Sequence, residues 1–582
     1  MQRRTFVKGV AVASLMTLST SDLMAKPKSK QSNNSNSNIL TGNEFFLDID
    51  YMPVNITGKQ AIATTINGQL SGPTLVWQEG ETVTLHVTNH LKKTSSIHWH
   101  GIILPPTMDG VPHISFNGIQ PGETFTYQFK VQQHGTFWYH SHSGFQEQTG
   151  LHGAIVIKAK RREPFKYDKD YVILLSDWSD EKPDTIYKKL KQRSDYYNFS
   201  QRTVGTFVDE VKKKGLSKAF GDRKMWNEMR MSDRDISDVS GYTYTYLMNG
   251  KNPATQFKAL FKKGEKIRLR FVNAAAMTFF DIRIPGLNMT VVAADGNHVK
   301  PVSIEEFRIG VAETYDVIVE PKSNKAYAIF AQSIDRTGYA LGSLTHSPEI
   351  SAQAPQMDPL PILTHTDMGM KMGNMDNMEQ QGDMKCSSGM AMPSKKSMKT
   401  MKFSAMEAQK YPITKLPMKR GPHTTMMAMD PQYRLDDPGV GLRNNGRKVL
   451  TYANLKNLYS TAKDKKPDRE IILHLTGNME RYMWSINGIK YADAKPLIFH
   501  YGERLRITFI NDTMMNHPMH LHGMWSDLET GDDNHLVRKH TIVVQPGSKI
   551  SYRVTVNAQG AWAYHCHLLY HMAGMFRKVV VV

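Results

Sequence analysis

The sequence predicts an all-β protein of three β-sandwich domains in tandem, with a helical insertion in the second and a methionine-rich, low-complexity segment before the third. Three observations carry this expectation. Short alternating strand patterns are punctuated by turn residues, and turns at this spacing mark sandwiches. One order of motifs recurs three times, which marks tandem duplication: Asn67-Gly68, Gly80-Glu81, a strand over 82–87 and Asn89; Asn249-Gly250, Gly264-Glu265, a strand over 267–271 and Asn273; Asn487-Gly488, Gly502-Glu503, a strand over 505–510 and Asn511. Finally, 582 residues with 40% apolar content can build several cores, and a charged fraction of 22% argues against wholesale disorder. Only two cysteines are present, so at most one disulfide can form and the cores must be hydrophobic.

Taken in chain order, residues 1–25 read as an export signal: Arg3-Arg4-Thr5-Phe6-Val7-Lys8, an apolar run over 10–18, and small or polar residues to a cleavage point at Leu23-Met24-Ala25. The apolar run is too short to span a bilayer, so no membrane span is expected in the mature protein. The twin arginines with Phe6 and Lys8 resemble a Tat signal, which delivers folded proteins to the periplasm; a Sec signal that happens to contain two arginines is the plainer alternative. Residues 26–40, with an Asn/Ser tract at 32–38, read as a flexible leader. The three domains are expected at 41–160, 166–350 and 431–582. Residues 181–235, rich in Lys, Arg and Asp and without strand alternation, read as the partly helical insertion. A formal charge of +19 raises nucleic acid as a partner. The basic residues are scattered, however, the run at 212–214 reads as a solvated helix face, and no nucleic-acid-binding signature is present, so no such partner is expected.

The three copies differ where chemistry would sit. After its asparagine, the first carries His98-Trp99-His100 and the third His520-Leu521-His522, whereas the second has Ile282-Arg283-Ile284. The outer copies also share Pro121-Gly122, Gly135 and His140-Ser141-His142 against Pro546-Gly547, Gly560 and His565-Cys566-His567. On a strand, a His-x-His triplet points both imidazoles to one face and the middle residue to the other. Four triplets supply eight imidazoles, enough for a multinuclear metal cluster, with the Cys566 sulfur facing away from it. His517, His571 and Met575 lie near that cysteine in sequence, and two imidazoles, a thiolate and a weak thioether make a blue-copper ligand set. A lone histidine is usually a surface or satisfied core residue; ten of 23 falling in aligned motifs are not.

These residues resemble the four copper motifs of the multicopper oxidases: His98-Trp99-His100-Gly101, His140-Ser141-His142, His517-Pro518-Met519-His520-Leu521-His522-Gly523 and His565-Cys566-His567-Leu568-Leu569-Tyr570-His571. More narrowly, the chain is similar to the periplasmic copper-resistance oxidases of the CopA and PcoA kind. The resemblance implies cupredoxin-like Greek-key sandwiches and four copper ions. It implies type 1 copper on His517, Cys566, His571 and Met575, type 2 copper on His98 and His520, and a type 3 pair on His100, His140, His142, His522, His565 and His567. The family places its axial methionine ten residues after the cysteine, whereas Met575 stands nine after Cys566; Gly574 can absorb the difference and favours Met575 over Met572. Electrons from the substrate would pass through Cys566 to His565 and His567, and dioxygen would be reduced to water. Asp109 matches an acidic residue that in the family lies near the trinuclear site, which suggests a proton relay; Asp-Gly before Val-Pro is also good turn chemistry in its own right.

Substrate is the remaining question. The segment 355–430 holds 16 of the chain's 35 methionines, among Gly, Ser, Lys and Asp and without strand alternation. Methionine stripes are usually core packing. Here the polar neighbours lead us to expect no core, and thioethers favour Cu(I). Met368, Met370, Met372, Met375, Met378, Met384, Met390 and Met392 are therefore candidate substrate-copper ligands, with Cys386 and His365 beside them. The expected reaction is oxidation of Cu(I), delivered directly or by a periplasmic copper chaperone, for copper resistance. A laccase-like oxidase of phenols or other small organic reductants is one alternative, and a non-catalytic copper store is the other.

Overall fold

The repeated asparagines explain the architecture. In each copy a strand ending at that asparagine pairs in parallel with an earlier strand: Thr82–Asn89 with Glu44–Asn55, Ile267–Asn273 with Lys169–Trp178, and Arg504–Asn511 with Arg469–Asn478. Each asparagine is fully buried. Its Nδ2 donates to carbonyls in two separate segments: Lys93 and Ile119 for Asn89, Thr278 and Ile309 for Asn273, Met515 and the adjoining Val544 and Gln545 for Asn511. A buried amide left without such partners would cost about 1–3 kcal/mol, which ties the residue type to the position. The Asn-Gly pairs are equally regular, with φ of 52° and 68°, 50° and 72°, and 52° and 70°. Two successive left-handed residues are what a tight hairpin turn requires. In each, the asparagine Oδ1 accepts the backbone N–H of Asp48, Leu174 or His474.

The computed structural model describes residues 38–228, 230–370 and 411–582. The signal, most of the leader, and Met372, Met375, Met378, Met384, Cys386, Met390 and Met392 lie outside the described residues. Among the described residues six sheets occur in three successive pairs: five and four strands within 39–158, six and five within 169–345, and eight and five within 413–581. The molecule is all-β, as expected. Residues from both sheets of a pair meet in the core, for example Leu47, Val83 and Leu85 with Leu75, Trp77 and Ile155 in the first. The leader's last residues are not loose: the strand Ile39–Thr41 pairs in parallel with Gly72–Gln78.

Helices α1 (Pro183–Gln192), α2 (Val204–Lys214) and α3 (Leu216–Glu228) interrupt the middle stretch. Thr203 and Thr206 close a capping box at the start of α2. Lys212, Lys213 and Lys214 form its exposed last turn, where positive charge complements the helix dipole. Among the described residues no helix is long and apolar enough to cross a membrane.

One expectation is overturned. Met368 is fully buried and belongs to the main hydrophobic core, with the half-buried Met370 packed against it. The turn over 364–369 is built by Asp367, whose Oδ2 accepts from Thr364, and is tied down by Arg434 and Arg443 at 3.4 and 2.6 Å from Asp367 Oδ1. Gly369 lies so close to the Gly547 backbone that a Cβ would come within 2.6 Å of its carbonyl oxygen. Polar neighbours therefore do not prevent core burial here, because they are consumed by the turn and its ion pairs. Among the methionines at 368–392 that are candidate substrate-copper ligands, this one is packed into the core.

Candidate metal centre

Strand pairing assembles the histidines. His98–His100 pairs antiparallel with Gly135–His140, placing His98 opposite His140. His517–Leu521 pairs antiparallel with Gly560–Cys566, placing His520 opposite His565 and Met519 opposite Cys566. Alternation then puts His520 and His522 on one face and His517 and Met519 on the other, where Cys566 also points. Two nests of donors result, on opposite faces of one sheet.

The larger nest joins the first and third sandwiches. Three-imidazole groups form from His98, His520 and His522; from His100, His140 and His567; and from His142, His522 and His565. The Nε2 atoms of His142 and His522 lie 3.2 and 3.1 Å from that of His565, and those of His140 and His567 are 3.3 Å apart. His100 stacks on His520 and His98 on His522, with ring centroids 3.7 and 4.0 Å apart. In the middle sandwich the corresponding positions, Ile282 and Ile284, are buried apolar side chains.

The smaller nest holds Cys566, His517 and His571, all fully buried. Cys566 Sγ lies 3.5 and 3.8 Å from the Nδ1 atoms of His517 and His571, which are 3.3 Å from each other. The opposite nitrogens are engaged: His517 Nε2 with Thr513 Oγ1 at 2.7 Å and His571 Nε2 with Asp238 Oδ2 at 2.6 Å. That engagement leaves both Nδ1 lone pairs for a ligand. Met575 is fully buried and its carbonyl accepts the Cys566 N–H at 3.0 Å. Gly574 fits its loop closely, since a Cβ there would reach within 2.0 Å of the Trp484 carbonyl oxygen.

These distances fit a metal. Two nitrogens about 2.0 Å from one ion at a tetrahedral angle stand about 3.3 Å apart, and a nitrogen and a thiolate about 3.6 Å apart. The nitrogens are also chemically idle. His98 Nε2, His520 Nε2 and both nitrogens of His100 are buried with no hydrogen-bond partner. Burial is the first cause of the lowered pKa of His100, His140, His142, His520, His522 and His567, and it brings His565 down to about 4, which keeps those seven rings neutral. Burial likewise pushes the Cys566 thiol far up, so its sulfur ionises only against a bound cation.

Carboxylates orient the rings from behind. Asp109 Oδ2 accepts from His522 Nδ1 at 2.9 Å, while its carbonyl accepts from His98 Nδ1 at 2.7 Å. Asp109 thus reaches two rings of the large nest, which turn chemistry alone would not require. Glu147 Oε2 lies 2.9 Å from His140 Nδ1, and burial, then Asp177, raises its pKa. Neither Glu147 nor Asp238 stood out in the sequence, because each lies outside the His-x-His motifs and reaches its partner only through the fold. Asp238 comes from the segment following α3, so the middle sandwich supplies no imidazole to either nest, yet supplies the carboxylate on His571. His365 lies away from both nests, stacked on Trp226 at 5.3 Å between ring centroids.

Comparisons with known proteins agree with this geometry. Family models described as multicopper oxidase match residues 48–162, 169–348 and 464–582. The chain is 54% identical to copper resistance protein A of Pseudomonas syringae pv. tomato, across 100% of this chain and 99% of that protein, and equally to copper resistance protein A of Escherichia coli. The crystal structure of a laccase from Botrytis aclada superposes with a TM-score of 0.57 at 18% identity, covering 94% of this chain and 93% of that one, which supports the fold. Donor nests suited to copper, three matching family models and full-length likeness at this identity lead to one statement: the chain belongs to the multicopper oxidase family, copper-dependent oxidoreductases.

Proposed function

We propose that this chain is exported to the periplasm by the Tat route and there oxidises Cu(I) to Cu(II), coupled to four-electron reduction of dioxygen to water, in the service of copper resistance. The observation that carries the choice of substrate is the cover over the small nest. Both imidazoles facing Cys566 are fully buried, and His571 meets a carboxylate, Asp238, while Trp484 stacks on its ring at 3.8 Å. A bulky phenol finds no exposed imidazole edge. A small cavity beside Asp238, lined also by Met277, Met515, Asn516 and Leu568, offers thioethers and a carboxylate, donors suited to a monovalent soft cation. The likeness to copper resistance proteins A supports the same reading.

Four copper ions would be held: type 1 by His517, Cys566, His571 and Met575, type 2 by His98 and His520, and a type 3 pair by His100, His140, His142, His522, His565 and His567. Bound there, copper would supply one-electron acceptance at the small nest and four-electron reduction of dioxygen at the large one. The protein's own part is positional. Cys566 is bonded through the main chain to His565 and His567, so the two nests share a covalent path. Asp109 receives the His522 N–H and stands where a proton bound for the cluster can be held. Seven of the eight rings of the large nest are buried and His142 is half-buried, which restricts the access of bulk water. A periplasmic copper chaperone is the fitting Cu(I) donor.

Removing residues 371–406, which leaves the packed 357–370 intact, should lower oxygen consumption with Cu(I) at least several-fold while sparing a phenol; equal losses would sink the assignment of that segment. Cys566→Ser should abolish both the blue absorption and turnover, and copper tolerance that survived this change in cells would favour storage over catalysis.

A further inference from the structure

We propose that Asp177 and Met277, both from the middle sandwich, are positioning residues for the small nest: they fix the turn between Cys566 and His571 and so set the potential at which copper held there accepts an electron. The proposal rests on the copper assignment above. Asp177 stands next to the end of the strand Lys169–Trp178 and is only 4% exposed. Its carboxylate accepts from three consecutive residues, at Oδ1 from the Ala276 N–H at 2.8 Å and at Oδ2 from the Met277 N–H at 3.0 Å and the Thr278 hydroxyl at 2.7 Å. All three residues are buried, so the donors depend on this carboxylate rather than on bulk water. The loop pinned in this way presents two acceptors to the third sandwich. The Ala276 carbonyl accepts the Leu569 N–H at 3.0 Å, and the Met277 sulfur accepts the Tyr570 N–H at 3.5 Å.

Those two peptides belong to the turn that joins one donor of the small nest to the next. Just before them, the Leu568 N–H donates to the Cys566 sulfur, and the Leu568 carbonyl accepts the His571 N–H at 2.9 Å. Hydrogen bonding at a copper-bound thiolate tunes the reduction potential of a blue-copper site. An N–H aimed at the sulfur draws charge away from it and favours the reduced metal. With Leu569 and Tyr570 held by the middle sandwich, the adjoining Leu568 N–H stays on the sulfur and the His571 ring stays beside it. The first sandwich joins at the same point, since Gln148 Nε2 donates to the Asp177 carbonyl at 3.0 Å. Packing alone would ask only for the bulk of Met277, whereas the bond from Tyr570 asks for its sulfur.

The type 1 potential, read by redox titration of the blue absorption, separates the two. Met277→Leu keeps the buried bulk and removes the acceptor; Asp177→Asn turns an amide NH2 toward donors. In both variants the potential should fall below that of the wild type, with the EPR signal of the type 2 copper unchanged. In the full chain without copper, amide exchange should be about tenfold faster at Tyr570 in Met277→Leu, and at both Leu569 and Tyr570 in Asp177→Asn. A wild-type potential in Met277→Leu would overturn the proposal and leave plain packing, whatever happens to the urea midpoint. An Asp177→Asn chain that fails to fold leaves Met277→Leu to decide. Were the copper-loaded wild type to show no blue absorption, the copper assignment would fail instead; the exchange rates need no metal and would still judge the hold on the turn.

Discussion

At the scale of single residues, the two nests divide into donors that motif spacing announces and supports that it does not. The His-x-His triplets and Cys566 are legible because strand alternation converts spacing directly into facing direction. Asp238 is different: it lies 333 positions from the His571 it touches, and no local pattern marks it. Its oxygen also accepts from the Tyr482 hydroxyl at 3.1 Å. Burial raises the Asp238 pKa to about 7, and Asp238→Asn keeps the shape and a hydrogen-bond acceptor but removes the carboxylate whose charge, present above that pH, a cuprous ion would meet. It should raise KM for Cu(I) and lower kcat/KM about tenfold, or about 1.4 kcal/mol, with the blue absorption retained. Steady-state oxygen consumption with Cu(I) and with a phenol checks this, and an equal loss for both reductants would count against Asp238 as part of the Cu(I) path.

At the scale of elements, buried ions tie the sandwiches together. Arg268 on Ile267–Asn273 is 1% exposed at its side chain and pairs with Asp316 at 2.6 Å and with Glu163 at 2.8 Å, the latter from the connection between the first two sandwiches. Burial alone would raise the Glu163 pKa, but His298 at 3.8 Å, the Arg268 charge and the hydrogen bonds from Arg268 and Tyr167 hold it well below the usual carboxylate range. A depressed folded pKa means stability that is fully present above the unfolded value of about 4.3 and is lost as pH falls through the folded one. Glu163→Gln should therefore cost about 2 kcal/mol at pH 7, and the gap to the wild type should narrow as pH falls below about 4. Urea midpoints of both proteins at the two pH values measure this; a constant gap would remove Glu163 ionisation as its source. The elements themselves were largely readable, Asn-Gly turns and strand ends above all. Met368 was not, since its neighbours gave a polar pattern and only the closed turn at 364–369 turns that side chain inward.

At the scale of the whole molecule, one repeated sandwich is put to two uses. The outer sandwiches keep their triplets and meet around them, while the middle one has apolar residues at those positions and contributes Asp238 instead. By itself, the sequence determined the all-β class, the threefold repeat, the donors of both nests and the opposite facing of Cys566, because strand period and turn chemistry are local rules that spacing records. Only the tertiary structure decided which carboxylates stand behind the rings, that Met368 is core, and that the imidazoles beside Cys566 are covered. Those outcomes depend on contacts between residues up to hundreds of positions apart, where burial and pairing act through space and leave no periodic trace in the chain.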